Sequence, residues 1–145
     1  MARLRHFAVC VGDLDKAAKF YGEVFGLKRH GREDLPIGSA VYMGDGTINL
    51  ALLNFTGSKG HDFGDKPEGQ IGPNHFGIQA DSLTETQALI ENNGGQVFSD
   101  LGDTRKGNFE RKFKDPEGVI FDISENGWGG TDGRKIKADP SHAFL

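Results

Sequence analysis

The chain is short of several features that define large classes of proteins. It has one cysteine, Cys10, so no internal disulfide is possible and a reducing, cytoplasmic location is expected. Basic residues number 17 against 21 acidic ones, and this balance argues against a nucleic-acid partner. No apolar run approaches the roughly 20 residues of a membrane span, and the N-terminus does not read as a signal peptide. The composition therefore predicts a cytoplasmic domain that binds neither membrane nor nucleic acid.

What the chain does contain is a repeat of its own sequence. Residues 6–14 and 75–83 both begin with His-Phe, continue through small and β-branched residues, and reach a leucine after a polar residue. The same offset carries Gly26 onto Gly95, after the segment that follows. A repeat of this length indicates that one structural unit is present twice.

Local patterns give both copies the same order of elements. Residues 3–11 alternate as a strand does, and Asp13 can cap a helix that ends at Gly26. In the second copy, Ser82 and Glu85 form a capping box for a helix that ends near residues 93–95. Three short strands are expected after each helix, at 27–32, 40–43 and 48–53, and at 96–98, 109–114 and 119–124. The predicted fold is α+β, with two tandem βαβββ units that pair into curved mixed sheets around a central cavity.

The repeat also predicts the domain organisation. Residues 1–125 form a single domain, with the first repeat at 3–54, a linker at 55–72 and the second repeat at 73–125. Residues 126–145 are a C-terminal tail, which carries Trp128 in a run of glycines. The sequence does not decide whether Trp128 closes over the site or lies at an interface.

The last predicted strand contains an aspartate at a buried position. In that strand Phe121 and Ile123 point to one face, suited to packing on a helix, while Asp122 points to the other. A carboxylate inside a strand of this kind is costly unless it is paired or bound to a metal. Asp122 is therefore either a metal ligand or the partner of a nearby arginine or lysine.

Several short motifs resemble the vicinal oxygen chelate superfamily over residues 3–125. The superfamily includes glyoxalase I, extradiol dioxygenases, methylmalonyl-CoA epimerase, and the bleomycin- and fosfomycin-resistance proteins. The motifs are His-Phe-Ala-Val at 6–9, Asp-Leu at 13–14, Phe-Tyr at 20–21, Phe-Gly-Leu at 25–27, and Asp-Pro-Glu-Gly at 115–118. The resemblance implies the fold more strongly than the reaction, because this scaffold carries many chemistries.

The resemblance also implies a metal site between the two units. Its ligands come from the first and last strands, which makes His6, His75 and Asp122 the expected metal ligands, with Asp122 also the catalytic carboxylate. Two imidazoles and one carboxylate suit a divalent metal such as Fe, Zn, Ni or Mn. Glu125 is the reserve ligand, whereas His30 and His61 are expected to be solvated.

The first unit does not supply the second carboxylate that glyoxalase I has. Its last strand, at residues 48–53, offers Asn49 as a weak oxygen donor, or else Ala51, which supplies nothing. Asn49 and Tyr42 are predicted to contact the substrate. The missing carboxylate weakens a glyoxalase I assignment.

Three functions remain open from the sequence. The first is a glyoxalase-like metal-dependent lyase or isomerase that acts on a small oxygen-chelating substrate. The alternatives are an extradiol-type Fe(II) dioxygenase, and a non-enzymatic small-molecule binding protein of the bleomycin-resistance type. A homodimer is also expected, because sheet edges such as residues 3–11 need covering.

Overall fold

The computed structural model describes residues 1–56, 69–100 and 110–135, so His61 lies outside the described residues. Ten elements follow one another in the order βαβββ twice, as predicted. They are β1 (Arg3–Cys10), α1 (Leu14–Phe25), β2 (Lys28–Leu35), β3 (Gly38–Gly44), β4 (Asn49–Phe55), β5 (Gly72–Gln79), α2 (Leu83–Asn92), β6 (Gln96–Asp100), β7 (Glu110–Lys114) and β8 (Ile120–Ser124). Within these described ranges, neither helix has the length and apolar character that crossing a membrane requires.

The eight strands form one curved sheet in the order β2-β3-β4-β1-β5-β8-β7-β6. Within each half the first strand pairs in parallel with the last, β1 with β4 and β5 with β8. The halves meet where β1 and β5 pair in antiparallel fashion. The two halves therefore have the same strand order, and the predicted α+β fold with paired βαβββ units is confirmed.

The position of β1 corrects one step of the sequence argument. This strand was expected to be a sheet edge that a second subunit would cover, but it lies between β4 and β5 of its own chain. The terminal strands in the sheet order are β2 and β6. The homodimer loses this support and stays a prediction.

Both helices begin at the residues that the sequence predicted. The side chain of Asp13 accepts a hydrogen bond from the backbone nitrogen of Lys16 at 2.9 Å, and α1 ends at Gly26 in the left-handed conformation with φ 71°. The hydroxyl of Ser82 accepts from the backbone nitrogen of Glu85 at 3.2 Å. These side-chain caps satisfy backbone donors that have no partner inside the helix.

Strand parity separates a packing face from a pocket face. Val41 and Leu52 are fully buried in a cluster with residues of α1, and Ile123 belongs to a second cluster beside α2. The alternate residues Tyr42 and Ala51 line a pocket instead. Because successive side chains of a strand point to opposite faces, the helices cover one face of the sheet and the pocket lies on the other.

Candidate metal centre

Three side chains from both halves of the sheet converge beside this pocket, and two of them, His6 and His75, line it. The Nε2 atoms of His6 on β1 and His75 on β5 are 3.2 Å apart, and His75 Nε2 is 3.1 Å from Asp122 Oδ2 on β8. One ligand atom from each residue lies within 4.8 Å of the other two, and all three residues are buried. The structure thus brings together the three residues that the sequence nominated as a set.

The partners of Asn49 determine which nitrogen of His6 carries the proton. Asn49 Nδ2 donates to the carbonyl of Gly129 at 2.9 Å, so its Oδ1 is left to accept from His6 Nδ1 at 2.7 Å. With its proton on Nδ1, neutral His6 directs the Nε2 lone pair at His75. Burial, and then the neighbouring His75, lower the pKa of His6 to about 3, so the ring is neutral near pH 7.

Asp122 is held in place by a buried lysine. Lys112 on β7 donates to Asp122 Oδ1 at 2.7 Å, and the two side chains are 1% and 0% exposed. Burial opposes ionisation of Asp122, but the charges of His75 and Lys112 outweigh it and keep its pKa below the usual range. The sequence left Asp122 as either a metal ligand or the partner of a basic residue. The structure allows both roles, because Oδ1 pairs with Lys112 while Oδ2 faces the histidines.

The repeat identifies the position in the first half that corresponds to Asp122. In the second half Gly77, two residues after His75, lies opposite Asp122. In the first half Ala8, two residues after His6, lies opposite Ala51. Ala51 therefore takes the place of a second carboxylate, and the site has one carboxylate where the repeat would allow two.

The residues fit a divalent metal. Bonds of about 2.1 Å place neighbouring ligand atoms about 3.0–3.4 Å apart, which matches the separations around His75 Nε2. Asp122 Oδ2 is fully buried, and its neighbour His75 Nε2, at 3.1 Å, is not in hydrogen-bonding geometry with it. A cation among His6, His75 and Asp122 would satisfy this oxygen and accept the His6 lone pair.

The pocket above the three residues is mixed in character. It encloses about 520 Å³, counting its open mouth. Apolar side chains from β2, β3 and β4 line it, among them Leu35, Leu53 and Phe55. Charged side chains line it as well, including Glu33, Glu110 and Lys112.

The other residues that the sequence analysis considered for the site do not ligate together with the three converging residues. Tyr42 lines the pocket, where its hydroxyl donates to Glu33 Oε2 at 2.7 Å. Asn49 is 1% exposed and lies behind His6, so its placement favours orienting the histidine over contacting a substrate. Glu125 accepts from the backbone nitrogen of Leu83 at the start of α2, away from the three ligands. His30, on β2, packs against Gly130 and is not one of the three residues that converge.

Sequence reasoning missed several residues of the pocket. Glu33, Glu110 and Lys112 lie on strands whose polar residues resemble those of any exposed strand, yet they are 6%, 5% and 1% exposed. Trp128, left open by the sequence, lies over the site and stacks on His6, with ring centroids 4.8 Å apart. Alternation along residues 110–114 was the signal available for Glu110 and Lys112, because it places both on one face.

Comparison with known proteins agrees with this fold and site. Residues 3–123 match the family model described as the Glyoxalase/Bleomycin resistance protein/Dioxygenase superfamily. The chain belongs to this superfamily, as the motif resemblance predicted.

Among the curated relatives, several are named as lactoylglutathione lyases. A probable lactoylglutathione lyase of Vibrio parahaemolyticus is 30% identical over 130 residues, which cover 86% of this chain and 91% of the relative. A probable chloroplastic lactoylglutathione lyase of Arabidopsis thaliana is 31% identical, but the match spans only 36% of that longer protein. The chain thus spans well under half of this plant relative.

Solved structures share the fold at lower identity. A hypothetical protein from Bacillus halodurans superimposes with a TM-score of 0.69 at 19% identity, covering 95% of this chain and 98% of that one. A methylmalonyl-CoA epimerase bound to methylmalonyl-CoA gives a TM-score of 0.67 at 17% identity, covering 86% and 94%. These similarities show the architecture alone.

The contact between Asn49 and His6 leads to a prediction. Replacing Asn49 with alanine should weaken Zn²⁺ binding about 10-fold to 100-fold, because residues that orient a ligating histidine have effects of this size. Asn54→Ala is the matched control, since Asn54 lies on the same strand and its amide bonds the carbonyls of Val11 and Gly12. Calorimetric titration of the two variants measures the effect. Equal affinities would show that Asn49 does not orient His6.

Proposed function

We propose that this protein is a glyoxalase-like, metal-dependent lyase or isomerase that acts on a small substrate with neighbouring oxygen atoms. The observation that carries the proposal is the convergence of His6, His75 and Asp122, of which the two histidines line a pocket formed by both halves. The lactoylglutathione lyase names of relatives at about 30% identity support the same reaction class.

In this proposal His6, His75 and Asp122 hold the metal. When bound, a divalent metal supplies Lewis-acid polarisation of a substrate oxygen. Asn49 keeps the proton of His6 on Nδ1, and Lys112 occupies Asp122 Oδ1 so that Oδ2 faces the histidines. Asn49 and Lys112 thus orient the ligand atoms of His6 and Asp122 before a substrate arrives.

Proton movement needs a carboxylate at the pocket wall. Asp122 was the sequence-based candidate, but its lowered pKa and its ion pair with Lys112 favour a role as ligand over a role as base. Glu33 and Glu110 are buried carboxylates that line the same pocket. Either of these groups is placed to exchange a proton with a substrate held at the base of the pocket.

The proposal is tested by metal content and activity together. Protein purified without chelator is expected to contain about one divalent metal per chain, and to show lactoylglutathione lyase activity that chelation removes and metal restores. An active protein that stays fully active after its metal is removed would refute metal dependence. Metal-loaded protein without this activity would exclude a lactoylglutathione lyase.

Ala51 supports a second candidate function. With Ala51 in place of a second carboxylate, the set is two histidines and one carboxylate, the ligand type used by non-haem Fe(II) oxygenases. An Fe(II)-dependent extradiol dioxygenase would consume oxygen in the presence of catechol. Oxygen uptake by the Fe(II)-loaded protein with catechol would favour this alternative over the lyase or isomerase.

The cellular setting of the proposed enzyme is also a prediction. The chain has a single cysteine, Cys10, which is buried and has no second cysteine in the chain to pair with, and we expect a cytoplasmic location. A small-molecule substrate is consistent with the pocket and with the family. Assembly as a homodimer remains an expectation from the sequence.

A further inference from the structure

The residues beyond the family match form part of the site wall. The match ends at residue 123, and the chain then continues across the ends of β1, β4 and β5. Gly46 and Thr131 form a β-bridge, and Arg5 binds Asp132 at 2.6 Å between Nη1 and Oδ1. Gln79 Nε2 donates to the carbonyl of Gly133 at 2.7 Å. The segment from Asn126 to Gly133 is thus attached to the sheet at several points.

This segment delivers Trp128 to the metal ligands. The indole is 2% exposed and lies nearly parallel to the His6 ring, with an interplanar angle of 10°. Its Nε1 donates to Glu110 Oε2 at 3.0 Å, which fixes the ring in its plane. Trp128 therefore contacts one metal ligand through its face and a buried carboxylate through its edge.

Gly77 leaves the space that Trp128 occupies. A Cβ atom built on Gly77 would lie 2.7 Å from the indole and 3.0 Å from the Cβ of His6. The distance to the indole is shorter than a Cβ atom tolerates, and the distance to His6 is tighter than an ordinary van der Waals contact. The absence of a side chain at this position on β5 is therefore required for the indole to reach His6.

We propose that Trp128 is a positioning residue of the metal site, which holds the His6 ring at the angle needed for ligation. This inference rests on the metal site of the proposed function and extends it beyond the residues that match the family. His6 has Asn49 at its Nδ1 atom and Trp128 against its face, so the two contacts together restrict both rotation and tilt of the ring. The segment from Asn126 to Gly133 therefore contributes to the geometry of the metal site.

The position of Trp128 provides its own spectroscopic signal. Trp128 is the only tryptophan in the chain, so all tryptophan emission comes from beside His6. Titration with Co²⁺ should quench this emission and saturate at one equivalent, while Zn²⁺ should compete for the same site. Co²⁺ binding seen by calorimetry without quenching would place the metal elsewhere and overturn the inference.

Four variants separate positioning from general stability. Trp128→Ala and Gly77→Ala are expected to weaken Zn²⁺ binding about 10-fold to 100-fold, as for other groups that orient a ligand. Trp128→Phe keeps an aromatic face against His6 and should restore affinity to within about threefold of the original protein. Phe20→Ala removes an exposed aromatic side chain on α1 and should leave affinity unchanged. Thermal unfolding with and without Zn²⁺ shows which variants are folded.

The results distinguish this inference from the proposed function. Unchanged Zn²⁺ affinity in folded Trp128→Ala protein overturns the positioning role and leaves the proposed enzyme intact. Weakened affinity that Trp128→Phe rescues, in a protein without lyase or isomerase activity, supports positioning and rejects the proposed reaction. A wild-type protein that binds no divalent metal overturns both.

Discussion

Replacing both His6 and His75 with alanine is expected to abolish divalent metal binding. These residues supply two of the three ligand atoms, and the one that remains, on Asp122, already shares its carboxylate with Lys112. A single oxygen ligand beside a fixed ammonium group does not hold a transition metal against water. The expected loss is at least 1,000-fold (about 4 kcal/mol) in calorimetric titration with Zn²⁺.

His30→Ala is the control for this experiment. His30 lies on β2, packed against Gly130, and is not one of the three converging residues. Its removal should leave one Zn²⁺ bound with unchanged affinity. Metal binding that survives in the double variant, or disappears in His30→Ala, would mean that the metal binds elsewhere.

The second large effect concerns stability without metal. Lys112 and Asp122 form an ion pair whose side chains are 1% and 0% exposed. Replacing Asp122 with leucine would leave the Lys112 ammonium buried without this partner, which typically costs about 3–5 kcal/mol. Urea unfolding of chelator-treated protein at pH 7, where the lowered pKa keeps Asp122 ionised, measures the difference.

A double variant tests the origin of that loss. In Lys112→Met combined with Asp122→Leu, both charges are replaced by apolar side chains, so much of the stability should return. Arg32→Met disrupts the pair of Arg32 and Asp34, whose side chains are 40% and 61% exposed, and should change stability little. A double variant as unstable as Asp122→Leu would show that packing, and not the loss of the ion pair, lowers the stability.

The fold was predictable from the sequence because the repeat and the local signals agree. Asp13, Gly26 and Ser82 mark helix ends through contacts a few residues away, and such contacts can be read from the sequence alone. The pairing of β1 with β5 was not predictable in this way. It joins residues about 70 positions apart, and no local pattern distinguishes a central strand from an edge strand when both alternate.

The candidate site was only partly predictable for a related reason. His6 and His75 occupy equivalent positions of the repeat. Asp122 could be recognised because it is a charged residue between apolar residues of a strand, and the structure buries it. The choice between Asn49 and Ala51 required the strand register, since a shift of two residues along β4 exchanges their positions. Trp128 required the path of the C-terminal segment, which the repeat does not describe.

The most direct test of the metal centre is a crystal structure of Zn²⁺-treated protein with anomalous diffraction recorded at the zinc edge. One strong anomalous peak is expected about 2.0–2.2 Å from His6 Nε2, His75 Nε2 and an oxygen of Asp122. A structure without such a peak at these three residues would contradict a metal-dependent function for this site.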